Sequence, residues 1–150
     1  MSDVFKGMLA GGAATIVLTL VMLIFSAIGF EPQLELTRLL LILLDAPNDY
    51  VLGWVGHIAI GSIGLGGLFA YVEPRLGVDT HVKSGILYGV IVWLVSMLVF
   101  MPAAGAGYFG FQLSIFAPVV MLGLQVLHGF VLGWTYGKLA HTPFTKHHPA

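Results

Sequence analysis

Charged residues fall along this chain at long intervals, and the apolar tracts between them define its elements. Stretches free of Asp, Glu, Lys and Arg cover positions 7–30, 50–72 and 84–137. A hydrocarbon core about 30 Å thick needs about 20 apolar residues rising 1.5 Å each, so each of the first two tracts holds one crossing. As a single helix the third would run about 80 Å, which no bilayer accommodates, so it turns back. Pro102-Ala-Ala-Gly105-Ala-Gly107 marks the reversal, because proline and clustered glycines end helices. The pattern predicts four spans near 6–29, 50–72, 83–101 and 114–137. The remaining apolar run, Leu34–Leu44, carries Glu35 and Arg38. It is too short to cross and predicts a short interfacial helix over about 33–44. The first span exceeds the apolar region of a secretory signal and no A-x-A-like site follows it, so it is expected to stay as an anchor.

Composition agrees with this pattern. Apolar residues make up 58% of the 150 positions, charged residues only 9%, and mean hydropathy is +0.97, whereas soluble domains carry roughly a quarter of their residues as charges. The expected fold class is an all-α integral membrane protein, a four-transmembrane-helix bundle forming a single domain over 1–150. A formal charge of −1 supplies no basic footprint for nucleic acid. The absence of cysteine excludes disulfides, thiolate metal sites and a cysteine nucleophile. Lys6, Arg75, Lys83, Lys138 and Lys146 gather at one side of the spans and only Arg38 at the other. The bias of Lys and Arg toward the cytoplasm then predicts that both termini and the 138–150 tail are cytoplasmic. The second external loop, 102–112, has no formal charge but carries Tyr108, Phe109 and Phe111. Such a loop settles into the interface, dips into the bundle or sits under a partner.

Lipid tails are as apolar as leucine, so spans associate through close packing of small residues. Rows spaced by four predict the seams: Gly7, Gly11, Thr15 and Thr19 in the first span, Gly53, His57 and Gly61 in the second with Gly56 and Gly64 alongside, and Gln125, Gly129, Gly133 and Gly137 in the fourth. Lys6-Gly7-x-x-x-Gly11 is echoed by Lys83-Ser84-Gly85-x-x-x-Gly89. This faint repeat predicts two helical hairpins related by a pseudo-two-fold axis along the membrane normal.

No Asp, Glu, Lys or Arg lies well inside a span, which weakens the case for an ion-coupled transporter. Intramembrane polarity reduces to His57, His128, Gln125 and several hydroxyls, and hydroxyls can bond carbonyls of their own helix. Gln125 precedes His128 by three residues and shares its face, forming a local polar cluster. The two histidines have three readings: interhelical hydrogen bonding that fixes helix rotation, axial ligation of a haem b, or a proton or solute path. Haem ligation is strained by depth, since His57 lies about 7 residues and His128 about 14 from the outer ends of their spans, roughly 10 Å apart along the normal. Packing is the preferred reading, and no cofactor and no metal site are expected. His81, His141, His147 and His148 fall in the segments expected on the cytoplasmic side. No catalytic set is present: paired carboxylates within the bilayer and His-Glu-x-x-His are missing, and Ser62, five residues from His57, faces another way.

Three segments together resemble a known group: Asp45-Ala-Pro-Asn-Asp-Tyr-Val-Leu-Gly-Trp-Val-Gly-His57 with Ile-Ala-Ile-Gly61; Lys83-Ser-Gly-Ile-Leu-Tyr-Gly89 running on to Phe100-Met-Pro-Ala-Ala-Gly-Ala-Gly107; and Ala117-Pro118 leading to Leu127-His128-Gly-Phe-Val-Leu-Gly133 and Tyr136-Gly137. They look like small four-span bacterial membrane proteins grouped as a domain of unknown function, in the neighbourhood of the YagU-like inner-membrane proteins. The resemblance runs from Gly7 to Leu139 and implies topology and a multi-pass inner-membrane location, without an activity. The function expected from the residues is a non-enzymatic accessory or interaction subunit, in contact with lipid and with other membrane subunits or copies of itself. A haem-b electron carrier ligated by His57 and His128 and a small oligomeric channel or permease are the alternatives.

Overall fold

A computed structural model describes residues 2–29, 40–42, 44–45 and 49–140. Four helices are long and apolar enough to cross a membrane: α1 (Asp3–Ala27), α2 (Val51–Arg75), α3 (His81–Ala103) and α4 (Ala117–Ala140). Each agrees with its expected span within a few residues. The side chains of Ser2, Asp49 and Thr80 accept from the N–H groups of Phe5, Leu52 and Lys83, satisfying donors that the first turn of a helix leaves orphaned. Most of the interfacial helix expected over 33–44 and the tail beyond 140 lie outside the described residues. Positions 40–42 are helical, and Leu40 and Leu41 are buried against Gly56 and Gly53.

The spans form two antiparallel hairpins, α1 with α2 and α3 with α4, joined by close contact of α1 with α4. Both seams are backbone against backbone. A Cβ at Gly7 would collide with the carbonyl of Gly66, and one at Gly11 with that of Gly61. In the second hairpin, Gly85 and Gly129 would each strike the other's carbonyl, and Gly89 that of Gln125. Gly133 lies against the backbone of His81, and Gly137 against its ring. The glycine echo between the hairpins is therefore structural: Gly7 and Gly11 stand to Gly66 as Gly85 and Gly89 stand to Gly129.

One departure from α-helical register in each hairpin shapes the interior. Ile60–Gly66 of α2 is π-helical, as is Ser96–Phe100 of α3. Five α-helical steps would leave Gly61 and Gly66 about 140° apart, yet both face Gly11, because i→i+5 pairing stacks residues five apart. The second π segment precedes Pro102, which has no N–H for the carbonyl of Leu98; a shift of register is one way a membrane helix re-satisfies such a group. Tyr88 Oη donates to the carbonyl of Leu65 inside the first π segment at 3.0 Å, and Trp93 Nε1 donates to the carbonyl of Pro118 at 2.9 Å.

Two clusters fill the bundle. At the face carrying the chain ends, Ala10, Ala14, Phe69, Tyr88, Leu132 and Tyr136 pack together, the Phe69 ring lying 5.4 Å from both tyrosine rings. At the opposite face, Leu18 meets Met97, Met101, Ala117, Met121 and Leu124. The uncharged loop dips into this second cluster through buried Ala104 and Ala106, with positive φ at Gly105 and Gly107 making the reversal. At the chain-end face the carboxylate of Glu73 is buried and lies 2.7 Å from His81 Nδ1. That contact ties α2 to α3, and sequence spacing alone did not suggest it.

Candidate functional site

Between the two clusters lies a cavity of about 110 Å³. Its polar lining comes from all four spans: Thr15 of α1, His57 of α2, Ser96 of α3, and Gln125 and His128 of α4. Leu18, Leu65, Val92, Phe100 and Met121 supply apolar walls, and Leu40 and Ile60 also border it. Ile60 is exposed on the bundle's outer surface, so the cavity reaches toward the lipid-facing side of α2.

Helix register explains why these side chains converge. Met121, Gln125 and His128 are spaced four and three apart, which puts them on one face of α4. His57 arrives differently. In an uninterrupted α-helix the nine steps from His57 to Gly66 turn the chain by about 900°, leaving the two on opposite sides. The wide turn at Ile60–Gly66 absorbs one residue, so His57 comes round by about 100° to the inner side while Gly66 keeps its place against α1. Both histidines are almost wholly buried, at 6% and 4% exposure.

Hydrogen bonding at the site is incomplete. Thr19 Oγ1 lies 3.4 Å from His57 Nε2, a long contact. His128 Nε2 is buried with no hydrogen-bond partner among the described residues. Two hydroxyls bond their own helix as expected, Thr15 donating to the carbonyl of Gly11 and Ser62 to that of Ile58, whereas the Ser84 hydroxyl is buried with no partner among the described residues. Trp54 packs edge-on against the His57 ring, with centroids 6.1 Å apart. Among the described residues, no group of three or more His, Cys, Asp and Glu is suited to a metal, and no Asp, Glu, Lys or Arg lines the cavity.

The site thus joins His57, His128 and Gln125, which the sequence singled out, with Thr15 from the predicted first-span row. The predicted glycines Gly7, Gly11, Gly61, Gly85, Gly89, Gly129 and Gly133 lie at interhelical contacts, whereas Gly53 faces Leu41 and a Cβ at Gly64 would meet nothing within 4 Å. Gly66, absent from the predicted rows, is a principal seam residue, because only a π register aligns it with Gly61. The glycine-dense run Gly61-Ser-Ile-Gly64-Leu-Gly66-Gly67 was the signal for it.

A family model described as a family of unknown function (DUF6789) matches residues 1–147. That match carries neither a YagU-like neighbourhood nor a bacterial source. No curated protein and no solved structure matches the chain.

Proposed function

The chain belongs to this family of unknown function, and we propose that it is a non-enzymatic membrane subunit that holds a small neutral guest in the cavity between His57 and His128. The observation that carries this reading is the unpartnered Nε2 of His128 beside a cavity inside the bundle. A polar group buried without a partner is costly where no bulk water reaches, and a guest or an ordered water offsets that cost. Size limits the guest: at about 110 Å³ the cavity is smaller than the engineered one of about 150 Å³ that takes up benzene, so it holds at most one small ring. Neutrality is supported by the lining, which carries no charge among the described residues, since a buried ion needs an opposite charge or a dense set of ligands.

Neither alternative gains comparable support. The cavity is well below the roughly 300 Å³ at which pockets for drug-sized ligands begin, so a porphyrin between the two imidazoles requires the helices to part. A conducting path within one chain would have to pass the closed glycine seams and the Phe69–Tyr88–Tyr136 cluster, so a channel requires several copies.

Titration with phenol tests the guest reading. In lipid nanodiscs, the methyl resonance of Met121 should shift saturably while that of Met8, on the α1–α2 seam, stays in place. Ser96→Leu, which fills the cavity, should abolish the shift. Parallel, non-saturating drift of both methyls would mean simple partitioning and defeat the proposal. The accessory part of the reading rests on the loop face, where Tyr108, Phe111, Ile115 and Phe116 are exposed, a surface suited to another membrane subunit. Extraction in a gentle detergent is expected to recover the protein with a larger complex; recovery only as a monomer would count against it.

A further inference from the structure

We infer that the guest is a lipid-soluble ring with a hydrogen-bonding oxygen at each of two opposite ends, the chemistry of a quinone headgroup. This rests on the guest-binding reading and adds the ligand class. Three features of the cavity select it. First, its two imidazoles come from different hairpins and stand at different depths. Counted from the loop-face ends of α2 and α4, His128 lies about five residues deeper than His57, about 7.5 Å at 1.5 Å per residue. That offset, awkward for two ligands of one iron, suits a ring whose opposed oxygens each accept a hydrogen bond of about 2.8 Å.

Second, the cavity is mainly apolar. Leu65, Val92 and Met121 line it, and a methionine sulfur makes favourable contact with ring edges. Third, Gln125 and Ser96 border the same space with amide and hydroxyl groups, which can donate to a carbonyl oxygen. Among the described residues no charged side chain lines the site, which disfavours carboxylates and ammonium groups. Near Ile60 the cavity approaches the outer surface of α2, a route by which a ring could enter from the bilayer and leave its substituents outside. The chain has no cysteine, so no protein thiol is available to add to a quinone.

The experiment compares 2,6-dimethyl-1,4-benzoquinone with m-xylene, a ring of similar size without oxygens, on the full chain in nanodiscs, again through the Met121 methyl. The quinone is expected to bind at least tenfold more tightly. His128→Leu should remove that preference, and an unchanged Met8 methyl resonance, away from the cavity, reports that the variant is folded. Equal affinity of the wild type for both rings would overturn the quinone assignment and leave the cavity reading standing. Absence of any saturable Met121 shift with either ring would overturn both. A preference that survives His128→Leu, with Met121 still responding, would also overturn the assignment.

Discussion

Replacing Gly85 with leucine is expected to stop α3 and α4 from closing and to yield little folded protein in detergent. Even the first added carbon would meet the carbonyl oxygen of Gly129 and the Cα of Gly133. These are backbone atoms, which cannot swing aside like the end of a side chain. Overpacking a well-fitted interior commonly costs about 1–3 kcal/mol and sometimes more, and a backbone obstacle places this substitution at or above the top of that range. Gly123, on the same helix as Gly129, has nothing within 4 Å of the point where a methyl group would stand. Gly123→Ala should therefore be neutral or stabilise by up to about 1 kcal/mol through helix propensity. Thermal unfolding in detergent checks the pair: a large loss of midpoint for Gly85→Leu and none for Gly123→Ala. Equal effects would show that the seam is not what holds the hairpin.

Deleting Gly64 should have the second large effect, and a local one. The residue lies in the wide turn of α2 and is exposed, with open space where a Cβ would stand. Removing it lets the segment return to i→i+4 pairing, since the π turn exists to accommodate one extra residue. With Gly66 and Ala70 held against Gly7, the portion carrying His57 turns by about 100° and leaves the cavity. Guest binding should fall at least tenfold, while the α3–α4 hairpin, whose glycine seam lies apart from this turn, stays closed. Gly64→Ala retains the residue count and should bind as the wild type does. Retained binding after the deletion would mean that His57 does not owe its position to the π turn.

The two expectations differ in how far they were readable beforehand. The Gly85–Gly129 contact follows from rows spaced by four, because α3 and the inner part of α4 are regular where they meet and every fourth residue returns to the same face. The α2 seam resisted the same rule. Gly61 and Gly66 are five apart, and the rows drawn through Gly53, His57 and Gly61 assumed an uninterrupted α-helix. Separations along the normal were legible from spacing; convergence around the helix axis was not. Glu73 and His81 illustrate another limit, since nothing in either residue's neighbourhood says that the turn between α2 and α3 will bring them together.

The sequence by itself determined the membrane architecture. Its charge-free tracts match the thickness of a bilayer, lipid forbids unpaired backbone, and the long tract over 84–137 has to double back at its Pro-Gly turn. Composition likewise decided that the interior would be stitched by small residues and contain almost no charge. Tertiary structure alone decided that His57 and His128 share a cavity, that one ring nitrogen is left without a partner among the described residues, and that the cavity is mainly apolar. Those properties depend on helix rotation, and a rotation of about 100° turns on a single residue absorbed in a π turn. A hydropathy pattern, which scores residues and not hydrogen-bond register, leaves that choice to the packed bundle.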